Sequence, residues 1–445
     1  MLRSLRVRNF RSIRDSKELS LSNLNIIVGP NNSGKSSILY SILLLKQTLL
    51  DKDLNATLIT SGPYIDLGSY LDIIKADSSS NQIGISFELD ATKLGKIRTL
   101  SLALKKELSL RPYNRYDLSF YYDIEKNAIT LTAFNVSETI TKDFYNGIKA
   151  NGKWQIDGLP KDALPYIRPQ FQHFLPMIAP ATEKPPDDEK ITTQAMDLIL
   201  SSRMRTAALN VFFENLLYVG PIREKIPRYG FMGTQSYSEL SPSGQNLMRV
   251  LATRHLQTKE RKTLLEQLNY WLDKRFHVLK RVRIENIDKA KTVKSIVADD
   301  PRGDQNINLA AMGSGLSQLV PVIVQTVLTA ANGCILIEQP EIHLHPAAQA
   351  SLGDLFVKYA KQKRQLIVET HSEHLLLRVR RRIAEGKLDP ELVRVFFVDK
   401  QKGETRIRQL SLEANGHFKR WPAGFFEEGY REAMALAMAR IGGPS

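Results

Sequence analysis

The stretch Gly29-Pro30-Asn31-Asn32-Ser33-Gly34-Lys35-Ser36 matches the phosphate-loop pattern G-x-x-x-x-G-K-S/T. An apolar run at residues 24–28 precedes it and predicts a strand, and residues 37–45 predict a helix. The two glycines let the loop wrap closely around a phosphate, so that backbone N–H groups and the positive end of the helix point at it. This strand–loop–helix context predicts a site for a nucleoside triphosphate.

The polar residues of the loop have expected roles. Lys35 is expected to reach the β- and γ-phosphates, and the Ser36 hydroxyl is expected to ligate Mg²⁺. Arg11, on the connection between the first two predicted strands, is expected to approach the nucleotide. The residues expected to contact the nucleotide are Gly29, Asn31, Asn32, Ser33, Gly34, Lys35, Ser36, Ser37 and Arg11.

The 445-residue chain has the composition of an ordinary globular protein, with 42% apolar and 24% charged residues, and its length allows two or three domains. Cys334 is the single cysteine, so the sequence predicts no disulfide framework and a reducing, cytoplasmic compartment. The apolar stretch at residues 316–331 is interrupted by glutamines and is too short to span a bilayer. We therefore expect a soluble protein with no membrane partner.

The formal net charge is +15, which favours a polyanionic partner such as DNA. Residues 254–294 concentrate this charge, with twelve Lys and Arg against five Asp and Glu. Two interpretations of this section remain open. It forms either a solvated helical face or a surface that contacts a nucleic-acid phosphate backbone.

Changes in pattern along the chain predict three regions. Residues 1–135 hold the phosphate loop and strand-like runs that predict an antiparallel sheet. Residues 136–299 have mostly helical periodicity and predict a largely helical, basic insertion, whereas residues 300–445 alternate strand and helix. The fold class is therefore α/β, and the first and third regions are expected to share one mixed sheet. The strand-like runs of the first region are residues 83–89, 99–104, 116–122 and 128–134.

Three segments of the third region carry groups that fit the phosphate loop. Ser314 and Gly315 open an apolar helix, which makes a second anion-binding helix start. Glu338 ends a buried strand and is expected to hold Mg²⁺ opposite Ser36. His371 follows the next strand, where an imidazole can hydrogen-bond a γ-phosphate or an attacking water.

The order of these motifs resembles that of the ABC-type ATPases of the RecF, SMC and OLD group. The resemblance is greatest to a stand-alone branch of predicted ATPases, which is OLD-like but lacks the TOPRIM nuclease domain. The matching segments are the phosphate loop, Ser314-Gly315 as signature, residues 338–341 as Walker B, residues 343–346 as D-loop, His371 as switch histidine, and residues 218–223 and 421–426.

The resemblance implies a P-loop NTPase fold with ATP and Mg²⁺ as cofactors. It also implies a homodimer, or a higher homo-oligomer, with ATP between Lys35, Ser36 and Glu338 of one copy and Ser314 and Gly315 of the other. About seventy residues follow His371, and they hold no convincing acidic cluster for two metals, so a nuclease activity in this chain is not expected.

Gln339 occupies the position at which ABC ATPases usually keep a catalytic glutamate. An amide cannot accept the proton of the attacking water, although it can orient that water. Either Glu341 or His371 then acts as the base, or hydrolysis is slow and the ATP-bound state long-lived. The candidate catalytic residues are therefore Gln339, Glu341 and His371.

Two alternative interpretations concern neighbouring residues. Glu341, His343, His345 and His371 have side chains that suit a transition metal. An arginine cluster at residues 378–382 is either a solvated helix face or a contact for a partner's acidic surface or for DNA.

We expect an ATPase whose ATP-dependent dimerisation controls engagement of DNA or of a partner effector, such as a separate nuclease subunit. The resemblance points to DNA repair or to antiviral defence against phage. The alternative is an ATP-gated clamp or sensor that hydrolyses little, as Gln339 would allow. A transporter motor is a weaker third interpretation, which the long middle region does not favour.

Overall fold

The structure of the chain is a computed structural model. It describes residues 1–55, 57–75, 81–90, 113–123, 125, 128–138, 144–150, 152–181, 189–233, 237–253, 263–301, 303, 306–419 and 438.

Strands and helices of these residues are numbered in chain order. The strands are β1 (Leu2–Phe10), β2 (Ile13–Asp15), β3 (Leu19–Ser20), β4 (Leu24–Val28), β5 (Gln82–Asp90), β6 (Tyr113–Asp123), β7 (Ala128–Glu138), β8 (Phe144–Ala150), β9 (Lys153–Asp157), β10 (Ile167–Gln172), β11 (Leu175–Pro180), β12 (Leu216–Val219), β13 (Gly230–Phe231), β14 (Lys280–Asn286), β15 (Val293–Asp299), β16 (Ile307–Asn308), β17 (Cys334–Glu338), β18 (Gln365–Glu369), β19 (Val393–Gln401) and β20 (Glu404–Leu410). The helices are α1 (Lys35–Leu49), α2 (Tyr70–Ile73), α3 (Glu189–Glu214), α4 (Leu247–Thr253), α5 (Leu264–Asn269), α6 (Ser314–Leu328), α7 (Pro346–Lys361) and α8 (Glu373–Ala384).

A six-stranded sheet runs through the centre in the order β12-β17-β18-β4-β19-β20. Its neighbouring strands are parallel, except for β19 and β20. Strands β4, β12, β17 and β18 are buried at every residue, as is typical of a parallel sheet covered on both faces. Because β4 pairs with β18 and β19, the two ends of the chain form one sheet, and that prediction is confirmed.

The two faces of this sheet pack into two separate cores. Side chains alternate across a strand, so Ile27 of β4 packs with α1 and the N-terminal strands, whereas Ile26 and Val28 pack with α6, α7 and α8. The phosphate loop leaves β4 at the carboxyl edge of the sheet, between these two layers.

The N-terminal half carries a second, antiparallel sheet in the order β2-β1-β5-β6-β7-β8-β9, with β3 paired to β1. Three of the four predicted strands are confirmed as β5, β6 and β7. The fourth, at residues 99–104, lies outside the described residues.

The prediction of a largely helical region at residues 136–299 is wrong. Its described residues contain α3 and two short helices, but also β8 to β15. β8 and β9 extend the antiparallel sheet beyond residue 135, and β12 belongs to the central sheet. Apolar periodicity does not predict these short strands, because they are stabilised by pairing with other strands and do not alternate regularly between apolar and polar residues. β10 and β11, for example, contain prolines within an isolated two-stranded sheet.

The described part of the basic section also differs from a helical face. It runs from α5 through a single π-helical turn, Tyr270–Arg275, into the hairpin of β14 and β15. Arg281 and Arg283 form ion pairs with Asp299 of that hairpin. Lys289 and Lys291 are exposed at its turn.

Among the described helices, the longest one is not apolar, and the most apolar one is short. α3 has 26 residues but carries charged side chains, and the apolar α6 has 15 residues. In the part of the chain that the structure describes, no helix is suited to crossing a membrane.

Candidate nucleotide-binding site

Two glycines shape the phosphate loop. The φ angles of Gly29 (+148°) and Gly34 (+99°) favour glycine. A Cβ on Gly29 would lie 1.9 Å from the carbonyl oxygen of Val398, and one on Gly34 would lie 2.4 Å from Oγ1 of Thr405. The loop therefore packs directly on β19 and β20, and only glycine fits at either end.

A cleft of about 990 Å³ lies over the loop, which is ample for a nucleotide. Four of its lining side chains are cationic and two are acidic, so positive charge prevails where phosphates are expected. The lining residues are Arg11, Ser12, Asn31, Asn32, Gly34, Lys35, Ser36, Ser37, Tyr40, Leu71, Asp72, Ile74, Lys75, Gln339, Glu369, His371, Lys400 and Gly403.

Most of the residues expected to contact the nucleotide line this cleft. Gly29 and Ser33 do not, because Gly29 is pressed against β19 and Ser33 is buried. The guanidinium of Arg11 lies 5.6 Å from the centre of the Tyr40 ring. The segment at residues 66–72 also reaches the cleft, through Leu71 and Asp72.

Lys35 is buried within the loop. Its ammonium donates a 2.6 Å hydrogen bond to the carbonyl oxygen of Pro30. Burial lowers the pKa of Lys35, against the opposing effect of the carboxylates of Glu369 and Glu341. The charged group is thus held among the backbone groups that are expected to surround the phosphates.

The acid in contact with Ser36 differs from the expected one. Glu338 and Glu369 are register partners at the ends of β17 and β18. The Ser36 hydroxyl donates a 3.0 Å hydrogen bond to Oε1 of Glu369, whereas the Glu338 carboxylate accepts hydrogen bonds from Tyr218 (2.6 Å) and Tyr40 (3.3 Å). The expectation that Glu338 faces Ser36 is therefore not met in this structure.

Both carboxyls are almost fully buried. Burial, and next the neighbouring Glu369, raise the pKa of Glu338 to about 8. Burial also raises the pKa of Glu369, while the Ser36 hydroxyl and the Lys35 ammonium lower it. The site thus concentrates acidic groups that a bound cation would stabilise in their charged form.

Gln339 and His371 lie in the cleft, but Glu341 does not. Gln339 has a φ of +43°, and its N–H donates to the carbonyl oxygen of Glu369. Burial, and next the Lys35 ammonium, lower the pKa of His371 to about 4, so its imidazole is neutral at pH 7. Oε1 of the buried Glu341 accepts a 2.5 Å hydrogen bond from the backbone N–H of His371. Glu341 therefore holds the segment that carries the histidine.

Arg223 supports the backbone at residues 338 and 339, and the sequence singled it out only through the family resemblance. Arg223 is buried, and its guanidinium donates to the carbonyl oxygens of Glu338 (2.5 Å) and Gln339 (3.3 Å). Tyr218, at the end of β12, reaches the Glu338 carboxylate. The segment 218–223 thus fixes the end of β17, a role that only the pairing of β12 with β17 reveals.

The phosphate loop has a second support that the sequence did not reveal. The Thr405 hydroxyl donates to the carbonyl oxygen of Ser33 (2.7 Å) and shares a 2.7 Å hydrogen bond with the Ser12 hydroxyl. Thr405 is buried on β20. No local motif marks it, because its contacts span more than 370 residues of chain.

Ser314 and Gly315 begin α6 away from the cleft of their own chain. Ser314 is exposed, and Gly315 lies close to the carbonyl oxygen of His343. Their expected role in a second copy's site stays a prediction.

The arrangement does not favour the transition-metal interpretation. Nδ1 of His345 accepts from the N–H of Ala347 at the start of α7, and Glu341 binds the backbone of His371. Within the described ranges, no group of three His, Cys, Asp or Glu side chains is placed to hold a metal ion.

The arginine cluster is largely paired within the chain. Arg378 and Arg382 of α8 each contact Asp354 of α7 at 2.5 Å, and Arg381 contacts Glu385 at 2.7 Å. Arg378 and Arg382 therefore join two helices, whereas Arg381 remains exposed beside Glu385.

Comparison with known proteins defines the family of the chain. Residues 1–196 and 231–376 match the family model described as AAA ATPase domain. Residues 388–436 match a model described as protein of unknown function (DUF3696). An uncharacterized protein, MJECL10 of Methanocaldococcus jannaschii, is 33% identical over 92 residues, which are 20% of this chain and 42% of that protein. The chain thus spans about two fifths of that curated relative.

Among solved structures, the chain is similar to SMC head domains. One, bound to the C-winged helix domain of ScpA, has 14% identity and a TM-score of 0.46, with 92% of this chain and 98% of the other covered. The head from Thermotoga maritima has 12% identity, a TM-score of 0.42 and coverages of 92% and 99%. The family model covers well over half of the chain and includes the phosphate loop, Gln339 and His371, and the chain therefore belongs to the AAA ATPase domain family.

Proposed function

We propose that the protein binds ATP with Mg²⁺ in the cleft over the phosphate loop and hydrolyses it. The observation that supports this most is the meeting of Lys35, Ser36, Glu369, Gln339 and His371 in one cleft, although they come from segments more than 300 residues apart. Oxygen ligands from a serine and a carboxylate suit Mg²⁺, which prefers them to nitrogen and sulfur.

The chain's own groups divide the work of phosphoryl transfer. The loop amides, Lys35 and Arg11 hold the phosphates and offset their charge. The neutral imidazole of His371 can donate one hydrogen bond and accept another, which suits a contact with a γ-phosphate or with the attacking water. Gln339 orients that water through its amide.

Two outcomes of ATP binding follow from Gln339. In the first, hydrolysis proceeds with His371 as the base, and ATP-dependent dimerisation through Ser314 and Gly315 is coupled to turnover. In the second, the protein is an ATP-gated clamp or sensor that hydrolyses little. Two observations support this alternative: residue 339 has no carboxylate, and the low pKa of His371 makes its imidazole a weak base.

The output of this cycle is engagement of DNA or of an effector subunit, in DNA repair or in defence against phage. The net charge of +15 and the exposed Lys289 and Lys291 support a phosphate-backbone contact. DNA affinity should fall with increasing salt, and Lys289→Gln with Lys291→Gln should reduce the slope of that dependence. An unchanged slope would place any DNA elsewhere.

The deciding experiment measures ATP binding by titration calorimetry and phosphate release on the same protein. Lys35→Ala should abolish both, while the exposed Lys52→Ala should leave both unchanged. Tight binding without phosphate release would support the clamp. Absence of ATP binding in the unaltered protein would refute the proposal.

Dimerisation is tested separately by light scattering with ATP present. Ser314→Arg should prevent the dimer without weakening ATP binding to the monomer, since Ser314 lies outside the cleft of its own chain. An ATP-bound protein that stays monomeric at all concentrations would contradict the dimer.

A further inference from the structure

We infer that Glu369, rather than Glu338, is the carboxylate that works with Ser36 to hold the divalent cation of the bound nucleotide. This assignment rests on the proposed function, and it concerns which of two adjacent acids serves the cation.

Strand order places Glu369 nearer to the phosphate loop. β18 pairs directly with β4, so Glu369 is the register partner of Ile27, just before the loop. β17 lies on the far side of β18, so Glu338 is one strand further away. Neighbouring strands are about 4.8 Å apart, and the backbone of Glu338 is therefore about twice as far from β4 as that of Glu369.

Helix α1 meets both acids along one face. Ser36 and Tyr40 are four residues apart and so lie one above the other on the helix. Ser36 contacts Glu369 and Tyr40 contacts Glu338. Ser36, the phosphate-loop serine expected to ligate the cation, thus contacts Glu369. Glu338 instead contacts the phenol of Tyr40, one helical turn further from the loop.

The two carboxylates differ in what remains free for a cation. Both oxygens of Glu338 accept from phenols, Oε1 from Tyr218 and Oε2 from Tyr40. Oε2 of Glu369 is buried without a hydrogen-bond partner. An unpaired buried carboxylate oxygen is costly, and a cation at the cleft would satisfy it. Glu369 also lines the cleft, whereas Glu338 does not.

The other acid that lines the cleft does not compete for this role. Asp72 is exposed, and its Oδ2 accepts from both the backbone N–H and the hydroxyl of Ser69 at the start of α2. Among the described lining residues, Glu369 is then the carboxylate that combines burial, contact with Ser36 and a free oxygen.

Glu338 takes a positioning role in this assignment. With Tyr218, Tyr40 and the Arg223 contact to its carbonyl oxygen, it fixes the end of β17 and hence the backbone of Gln339. Its replacement should disturb the geometry of the site without removing a cation ligand.

The test compares Glu369→Gln with Glu338→Gln, using Mn²⁺ as the probe. The affinity of the ATP-bound protein for Mn²⁺ is measured from the free Mn²⁺ electron-paramagnetic-resonance signal, and ATP affinity is measured separately in EDTA. Glu369→Gln should weaken Mn²⁺ binding by about 10- to 100-fold, the usual loss at a supported metal site. Glu338→Gln should change it by less than about threefold, and neither variant should lower ATP affinity in EDTA.

A loss in Glu338→Gln that equals or exceeds the loss in Glu369→Gln would overturn the assignment. If Glu369→Gln does not fold, as judged by circular dichroism, Glu369→Asp replaces it, since the shorter acid withdraws the carboxylate from Ser36 and should also weaken Mn²⁺ binding. Unchanged Mn²⁺ affinity in that variant would count against Glu369. Failure of the unaltered protein to bind ATP even without metal would instead refute the proposed function.

Discussion

The Tyr218 hydroxyl donates a 2.6 Å hydrogen bond to Oε1 of Glu338, a residue 120 positions further along the chain. Both groups are buried, and the pairing of β12 with β17 brings them together at one edge of the central sheet. The contact satisfies an acid that burial would otherwise destabilise.

Removing this donor should destabilise the fold. Tyr218→Phe keeps the ring but leaves Oε1 of Glu338 without its partner, so we expect the free energy of unfolding to fall by about 1–3 kcal/mol. Urea denaturation measures this change. Tyr229→Phe is the matched control, since Tyr229 is 51% exposed and should show no comparable loss. Equal stability of the Tyr218 variant would mean that the contact contributes nothing.

Glu338 should also make stability depend on pH. Its pKa rises from 4.5 to about 8 on folding, so between these values the folded protein keeps a proton that the unfolded chain releases. Stability should therefore fall as pH rises through this window. The pKa of His371 changes from 6.5 to about 4, which makes stability rise with pH, but only below about 6.5.

From pH 6.5 to 8.5 the buried Cys334, Lys35 and Lys46 also have shifted pKa values, so the effect of Glu338 is taken from the difference between the unaltered protein and Glu338→Gln. In EDTA, the unfolding free energy of the unaltered protein should decline across this range, and Glu338→Gln should show a shallower decline. Identical slopes for the two proteins would show that Glu338 is already ionised at neutral pH.

Gln339→Glu addresses the chemical step. A carboxylate at this position in the cleft can accept the proton of the attacking water, and general-base catalysis typically contributes about 100-fold or more. We expect kcat for phosphate release to rise by that order, with little change in ATP affinity. Gln339→Ala should not raise it. A rate unaltered by the glutamate would show that proton acceptance at residue 339 does not limit turnover.

Gly34→Ala tests the packing of the phosphate loop. The added methyl group would lie 2.4 Å from Oγ1 of Thr405 at a φ of +99°, so the loop must distort, and ATP affinity should fall at least about tenfold. Gly233→Ala is the control, because a Cβ there meets no atom of the described residues within 4 Å. Calorimetric titration with ATP distinguishes the two. Normal binding by the Gly34 variant would mean that the loop adapts freely.

Local patterns in the sequence were enough to predict the phosphate loop, the helix α1 that follows it and the buried strand that ends at Glu338. The reason is that each depends on neighbouring residues: glycines at fixed spacing for the loop, and continuous apolar runs for the helix and the buried strand. The short strands at residues 144–180 were missed because their stability comes from partners across hairpins.

The tertiary structure alone decided which acid faces Ser36. The sequence places Glu338 and Glu369 alike, each at the end of a buried strand. In the central sheet, β18 lies between β17 and β4. This strand order places Glu369 beside the phosphate loop, where it contacts Ser36, whereas Glu338 accepts a hydrogen bond from Tyr218. Strand order results from pairing between segments hundreds of residues apart, so a local sequence pattern does not predict it.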